Sequence, residues 1–80
     1  MKKVTIKFIS IYVDIFGKEI ALELDDNARV KDLIDYIERE LSERNISIKP
    51  IVFVNYRFSS EDQLLRDGDE VLVMPPFAGG

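Results

Sequence analysis

The sequence predicts an α+β fold in which a mixed sheet of four to five strands packs on one main helix. Three observations carry that expectation. Val4, Ile6 and Phe8 alternate with Thr5 and Lys7, the two-residue period of a strand with one buried face. Between about Ala28 and Glu43, the residues Val30, Leu33, Ile34, Ile37 and Leu41 recur at three- and four-residue spacings and line one face of a helix. Alternation then returns from Glu70 to Met74, with Val71 and Val73 on one side. A single apolar helical stripe needs a sheet to cover it.

The remaining elements follow in chain order. Ile9 to Phe16 is apolar but irregular, interrupted by Asp14, and reads as a partly buried connection with a short helical turn that closes at Gly17. Ile20, Leu22 and Leu24 alternate with Glu19, Ala21 and Glu23 in a second strand, and Asp25-Asp26-Asn27 breaks it. Asp26 or Asn27 is the expected N-cap of the helix and Asn45 its expected stop. Lys31/Asp35, Asp35/Arg39 and Glu40/Arg44 are four-apart opposite charges on the solvent side.

Ile51 to Val54 is short, β-branched and apolar, as a central strand would be, and Asn55-Tyr56 is the turn into a brief Arg57-Phe58 strand. Leu64 or Leu65 is expected to plug the core beneath an irregular crossing, and Asp67-Gly68-Asp69 turns the chain into the last strand. First and last strands are expected as parallel neighbours at the centre. That arrangement is a β-grasp, a ubiquitin-like roll, spanning residues 1–75, followed by an extended, flexible tail over 76–80.

Composition excludes much chemistry. Eighty residues make one domain, and the formal net charge of −4 with no basic cluster beyond Lys2-Lys3 argues against nucleic acid. Cysteine and histidine are absent, which removes disulfides, thiolate nucleophiles, Cys/His metal sites and imidazole bases. Asp25/Asp26 and Asp67/Asp69 sit in polar turns and are expected to be solvated rather than catalytic. No phosphate-cradling glycine loop is present. Met1-Lys2-Lys3 leads into alternation and not into a secretory leader, and no run approaches the ~20 apolar residues of a membrane helix, so a soluble, cytoplasmic protein is expected.

What remains is the end of the chain. If Val71 and Val73 face the helix, Leu72 and Met74 face away, and either Ile51/Phe53 or Val52/Val54 joins them there as an apolar patch unless the Ile9–Phe16 connection covers it. Pro75-Pro76 stops strand pairing and stiffens the exit. Phe77-Ala78 follows, and Gly79-Gly80 lack a Cβ and thread a narrow slot. Asp67-Gly68-Asp69-Glu70-Val71, the apolar strand, Pro75-Pro76 and Ala78-Gly79-Gly80 together resemble the small subunit of molybdopterin synthase, one of the ubiquitin-like sulfur carriers that also include the thiamine-pathway carrier. The match departs at Met74, where an aromatic residue is common, and at Phe77, which is bulkier than the usual aliphatic.

The resemblance implies a role for each part of the tail. Gly80 would be adenylated by an ATP-using, E1-like activating enzyme and converted by a sulfur donor protein into a thiocarboxylate. The tail would then enter the large synthase subunit, which supplies the catalysis. Leu72, Met74, Pro75, Pro76, Phe77 and Ala78 would bind partners, with Gly79 and Gly80 at the reacting end. No cofactor or metal would be held by this chain. Conjugation of Gly80 to proteins, or sulfur delivery to thiamine or transfer RNA, shares the same terminus and stays open at this point.

Overall fold

The computed structural model describes residues 1–76. Its elements run β1 (Lys2–Phe8), α1 (Ile11–Phe16), β2 (Glu19–Leu24), α2 (Val30–Ser42), β3 (Ile51–Val54), β4 (Arg57–Phe58) and β5 (Glu70–Met74). The sheet order is β2-β1-β5-β3-β4. β1 and β5 are parallel at the centre, with Ile6 opposite Val71 and Phe8 opposite Val73, and the other pairings are antiparallel. The expected β-grasp is therefore observed, with α2 lying across one face.

Alternation decides which side chains meet that helix. Val4, Ile6 and Phe8 of β1, Val52 and Val54 of β3, and Val71 and Val73 of β5 are buried against Val30, Leu33, Ile34, Ile37 and Leu41 of α2. Each such side chain, taken fully from water, is worth about 1.5–3 kcal/mol. Leu65 plugs the crossing at 1% exposure while its neighbour Leu64 stays outside at 44%. Ile20, Leu22 and Leu24 are only half-buried because β2 is an edge strand.

The Ile9–Phe16 connection forms α1 and turns toward the helix side. Tyr12 is fully buried in the core, and the Phe16 ring stacks on Phe8 with centroids 4.6 Å apart. Burial pushes the Tyr12 phenol up, with the Glu38 carboxylate adding to it. Because α1 takes this side, it does not cover the opposite sheet face.

Both ends of α2 are closed, one of them unexpectedly. Asn45, at φ 59°, ends the helix: Ile46 N–H donates to the Leu41 carbonyl (3.0 Å) and Asn45 N–H to that of Ser42 (2.9 Å), the Schellman pattern. At the start, the N-cap is Arg29 and not Asp26 or Asn27. The carbonyls of Gln63 and Glu61 accept from the Val30 and Lys31 N–H groups at 2.9 Å each, and Asp32 Oδ2 accepts from the Arg29 N–H at 2.8 Å. The crossing segment thus supplies acceptors that a capping side chain would otherwise provide. On the solvent side Arg44 turns to the main chain, donating to the Glu40 carbonyl at 2.8 Å.

Candidate functional site

The face of the sheet away from α2 carries the residues that the alternation left over. Register places Leu72 of β5 between Lys7 of β1 and Phe53 of β3, and sets Phe58 of β4 opposite Phe53. One row thus runs Lys7, Leu72, Phe53, Phe58 across four strands. Beside it, Met74 lies opposite Ile51. Ile51, Phe53, Leu72 and Met74 are half-buried, and Phe58 is 75% exposed with its ring edge-on to Phe53 at 6.0 Å. This is a continuous apolar strip open to solvent, and it ends where the chain leaves β5.

Val52 and Val54 face the helix, so Ile51 and Phe53 are the pair that joins Leu72 and Met74. Phe58 was not among the expected site residues. A two-residue Asn55-Tyr56 turn pairs Val54 with Arg57 and therefore Phe53 with Phe58, so counting across the hairpin would have found it.

The exit is less open than expected. Pro75 is fully buried, so it anchors the strand end and does not join the exposed surface. Its apolar ring has no N–H to satisfy, which makes it cheap to bury at a strand end. Pro76 is exposed. The expected site residues Phe77, Ala78, Gly79 and Gly80 lie outside the described residues.

A polar cluster borders the strip. The hairpin turn holds Asn55 at φ 51° and Tyr56 at φ 68°, the two left-handed residues of a type I′ turn. Asn55 is fastened by the Glu70 N–H donating to its Oδ1 (3.0 Å) and by its own Nδ2 donating to Asp69 Oδ1 (2.9 Å). Asp69 also accepts from the Arg66 N–H at 2.7 Å and is 7% exposed. The expectation of a solvated carboxylate there is corrected: its oxygens are used up by hydrogen bonds that set the entry to β5. Tyr56, lifted by the turn, donates its hydroxyl to Glu70, whose carboxylate also pairs with Lys7 at 2.8 Å.

Lys7 first, and the Tyr56 hydroxyl second, hold the Glu70 carboxyl below its ordinary 4.5, while Glu70 raises Tyr56 above its ordinary 10.0 and Lys7 above 10.5. The signs fix a pH window. Glu70's depressed value gives a contribution present above 4.5 and lost as pH falls through its folded value. The raised Tyr56 gives one present below 10.0 and lost as pH rises through its folded value. Tyr56 is exposed and Lys7 and Glu70 are only half-buried, so the effect on stability is small. Tyr56→Phe is expected to move the Glu70 midpoint partway back toward 4.5, and Lys7→Met further. Carbon-13 NMR titration of the carboxyl reads both, and an unmoved midpoint in Lys7→Met would refute the assignment.

Among the described residues no group of acidic side chains is placed to hold a metal ion, and no helix is long and apolar enough to cross a membrane. The exposed apolar strip and the chain exit beside it are thus the features to compare with known proteins. The ThiS family matches residues 6–80, nearly the whole chain. This chain belongs to the ThiS family.

Structures agree with that placement of the ThiS-family chain. A putative molybdopterin converting factor, subunit 1, from Pyrococcus furiosus is 31% identical, superposes with a TM-score of 0.82, and is matched over 95% of this chain and 99% of that one. Subunits 1 and 2 of molybdopterin-converting factor from Helicobacter pylori form a complex in which a 19% identical chain matches with a TM-score of 0.61, over 98% of this chain and 99% of that one. A Caldiarchaeum subterraneum ubiquitin, 16% identical, matches with a TM-score of 0.66 over 99% and 98%. The last two show the ubiquitin-like fold alone. A comparison with curated proteins finds no match.

Proposed function

We propose that this chain is the sulfur-carrying small subunit of a molybdopterin synthase. The observation that carries the reading is the position of β5: a central strand presents Leu72 and Met74 on the open face and delivers the chain to Pro75-Pro76 beside the strip. A partner covering Ile51, Phe53, Phe58, Leu72 and Met74 therefore meets the start of the tail at the same time. The large synthase subunit is that partner, as in the complex of subunits 1 and 2 from Helicobacter pylori.

Chemistry is confined to Gly80. A carboxylate is a poor acyl donor, so an E1-like enzyme joins it to the α-phosphate of ATP and releases pyrophosphate. Sulfur released by a donor protein at the sulfide level then attacks the acyl carbon, displaces AMP and leaves the thiocarboxylate. Gly79 and Gly80 have no Cβ to obstruct the slot of the large subunit, where the sulfur passes to the pterin precursor. This chain supplies docking and a bound sulfur atom, and the partners catalyse. The buried Pro75 fixes the direction of the tail, which lowers the ordering entropy of insertion.

The test is intact-protein mass spectrometry after co-expression with the activating enzyme and sulfur donor. One oxygen-for-sulfur exchange is expected, and it is lost when Gly80 is deleted. Free acid alone under those conditions would overturn the proposal. A ladder of conjugates on cellular proteins, in its place, would establish a protein modifier.

A further inference from the structure

The edge of the sheet farthest from β4 carries a feature that the proposed docking does not use. β2 is an edge strand of six residues, and its ladder fixes which main-chain groups are left over. The Phe8 N–H donates to the Lys18 carbonyl at 2.9 Å, and the Thr5 N–H donates to that of Asp69, beside β5, at 3.0 Å. Successive residues of a strand turn their polar main chain to opposite sides. Ile20, Leu22 and Leu24 therefore face β1, while Glu19, Ala21 and Glu23 face outward. Among the described residues, these outward N–H and C=O groups have no hydrogen-bond partner. They are a template for one more strand.

The side chains say what kind of strand fits. On the helix side, Ile20, Leu22 and Leu24 are half-buried and leave apolar flanks for a neighbour to cover. On the open face, Glu19 and Glu23 are exposed, and among the described residues neither has a cation within ion-pair distance. Lys7 stands opposite Glu19 but is turned to Glu70 at 2.8 Å. A second copy of this chain is disfavoured. Antiparallel self-pairing centred on Ala21 sets Glu19 against Glu23 of the other copy, twice over, and like charges directly opposite are destabilising. The same carboxylates repel a nucleic-acid backbone.

We propose that the outer edge of β2 takes an extended segment of a partner protein that carries two basic residues four positions apart, with apolar residues alternating between them. Laid antiparallel, the basic residues stand opposite Glu19 and Glu23, and the apolar residues stand opposite Ile20 and Leu22. Main-chain hydrogen bonds supply affinity, and the two carboxylates supply the choice of partner. The apolar docking strip runs from β5 to β4, away from β2, so both surfaces can be occupied together. The proposal stands on the sheet edge and not on the sulfur reading.

The probe is the blocked peptide Lys-Val-Thr-Val-Lys, titrated into the isotopically labelled 80-residue chain at low salt and followed by NMR, with Glu-Val-Thr-Val-Glu as its counterpart. Saturable amide shifts centred on Glu19, Ala21 and Glu23 are expected with the basic peptide, and none with the acidic one. Ala21→Pro removes an outward N–H that the β1 ladder does not use, so the domain keeps its fold. Its affinity for the basic peptide is expected to fall about tenfold. Glu19→Lys combined with Glu23→Lys leaves the main chain intact and is expected to reverse the choice of peptide. Four results overturn the proposal: no saturable shift, shifts centred on Phe53 and Leu72, equal binding of the two peptides, or full affinity in Ala21→Pro. Concentration-dependent shifts of the same amides without peptide also overturn it and assign the edge to a second copy. The mass-spectrometric result for Gly80 bears on the sulfur reading alone, so each can fail without the other.

Discussion

Leu72→Arg is expected to weaken binding to the large synthase subunit by at least ~30-fold while leaving the domain folded. Leu72 lies at the middle of the open strip, flanked on the sheet by Lys7 and Phe53. Truncating a central, desolvated interface residue typically removes about 2 kcal/mol or more, and about 1.4 kcal/mol is a factor of ten. Arginine does more than truncate. It places a charge in what should become a dry contact, next to Lys7, which already takes up the Glu70 carboxylate on that face. Folding suffers little because the side chain is only half-buried, so its loss removes part of the ~1.5–3 kcal/mol of a fully buried leucine.

Titration calorimetry against the purified large subunit measures the affinity, and thermal unfolding controls for the fold. Asp35→Arg shifts the charge in the same direction and by twice as much, at the far side of the molecule on the solvent face of α2, and is expected to bind as the wild type does. Equal affinity for Leu72→Arg and Asp35→Arg would remove the strip as the docking surface. Loss of binding in both would point to net charge and not to the strip.

Much of this surface could be read from alternation, because a strand's two faces are separated by a period of two and burial of one names the other. Val71 and Val73 inward put Leu72 and Met74 outward, and all four stand as expected. The helix stripe was equally legible, and its five apolar residues are all buried. What the pattern left undecided was which face of β3 joins them, since Ile51–Val54 is apolar on both. Only the register, Ile51 opposite Met74 and Phe53 opposite Leu72, decides it.

Features that depend on distant main chain had no local signal. The α2 N-terminus is satisfied by carbonyls of the crossing some thirty residues on, so the polar Asp25-Asp26-Asn27 stretch looked like the cap and is instead the turn before it. Pro75 looked exposed because prolines at strand ends usually are. It is nevertheless fully buried where the chain leaves β5. Tyr56 gave no sign of a positive φ, a conformation that costs a bulky residue, and it is held there by Asn55 before it and by Glu70 under its hydroxyl.

Lys2 is the clearest such case, and Lys2→Met is expected to destabilise the domain by about 3 kcal/mol. In the sequence it is half of a Lys-Lys pair near the start. In the structure it is 6% exposed, and its ammonium donates to the main-chain carbonyls of Asp26 (2.8 Å), Ala28 (3.1 Å) and Leu65. An ammonium has three donors and no acceptor, and here all three are used. One side chain thereby ties the start of β1 to the turn before α2 and to the crossing before β5.

Replacing a buried charge by a hydrophobe can stabilise a protein when its partner is replaced too. That route is closed here, because the partners are carbonyls and remain. Ala28 keeps the Leu65 N–H as a donor at 3.0 Å, and the Asp26 carbonyl is half-buried and within reach of water. The Leu65 carbonyl takes the largest share, since an orphaned buried acceptor costs about 1–3 kcal/mol. In a domain this small each 1 kcal/mol lowers Tm by about 4–8 °C, so a fall of about 12–24 °C is expected. Lys3→Met is the control: Lys3 is exposed, and its contact with Asp67 Oδ1 at 2.7 Å comes from the backbone N–H, which the substitution keeps. Guanidinium unfolding that places Lys2→Met level with Lys3→Met would show that the three carbonyls do not depend on this ammonium.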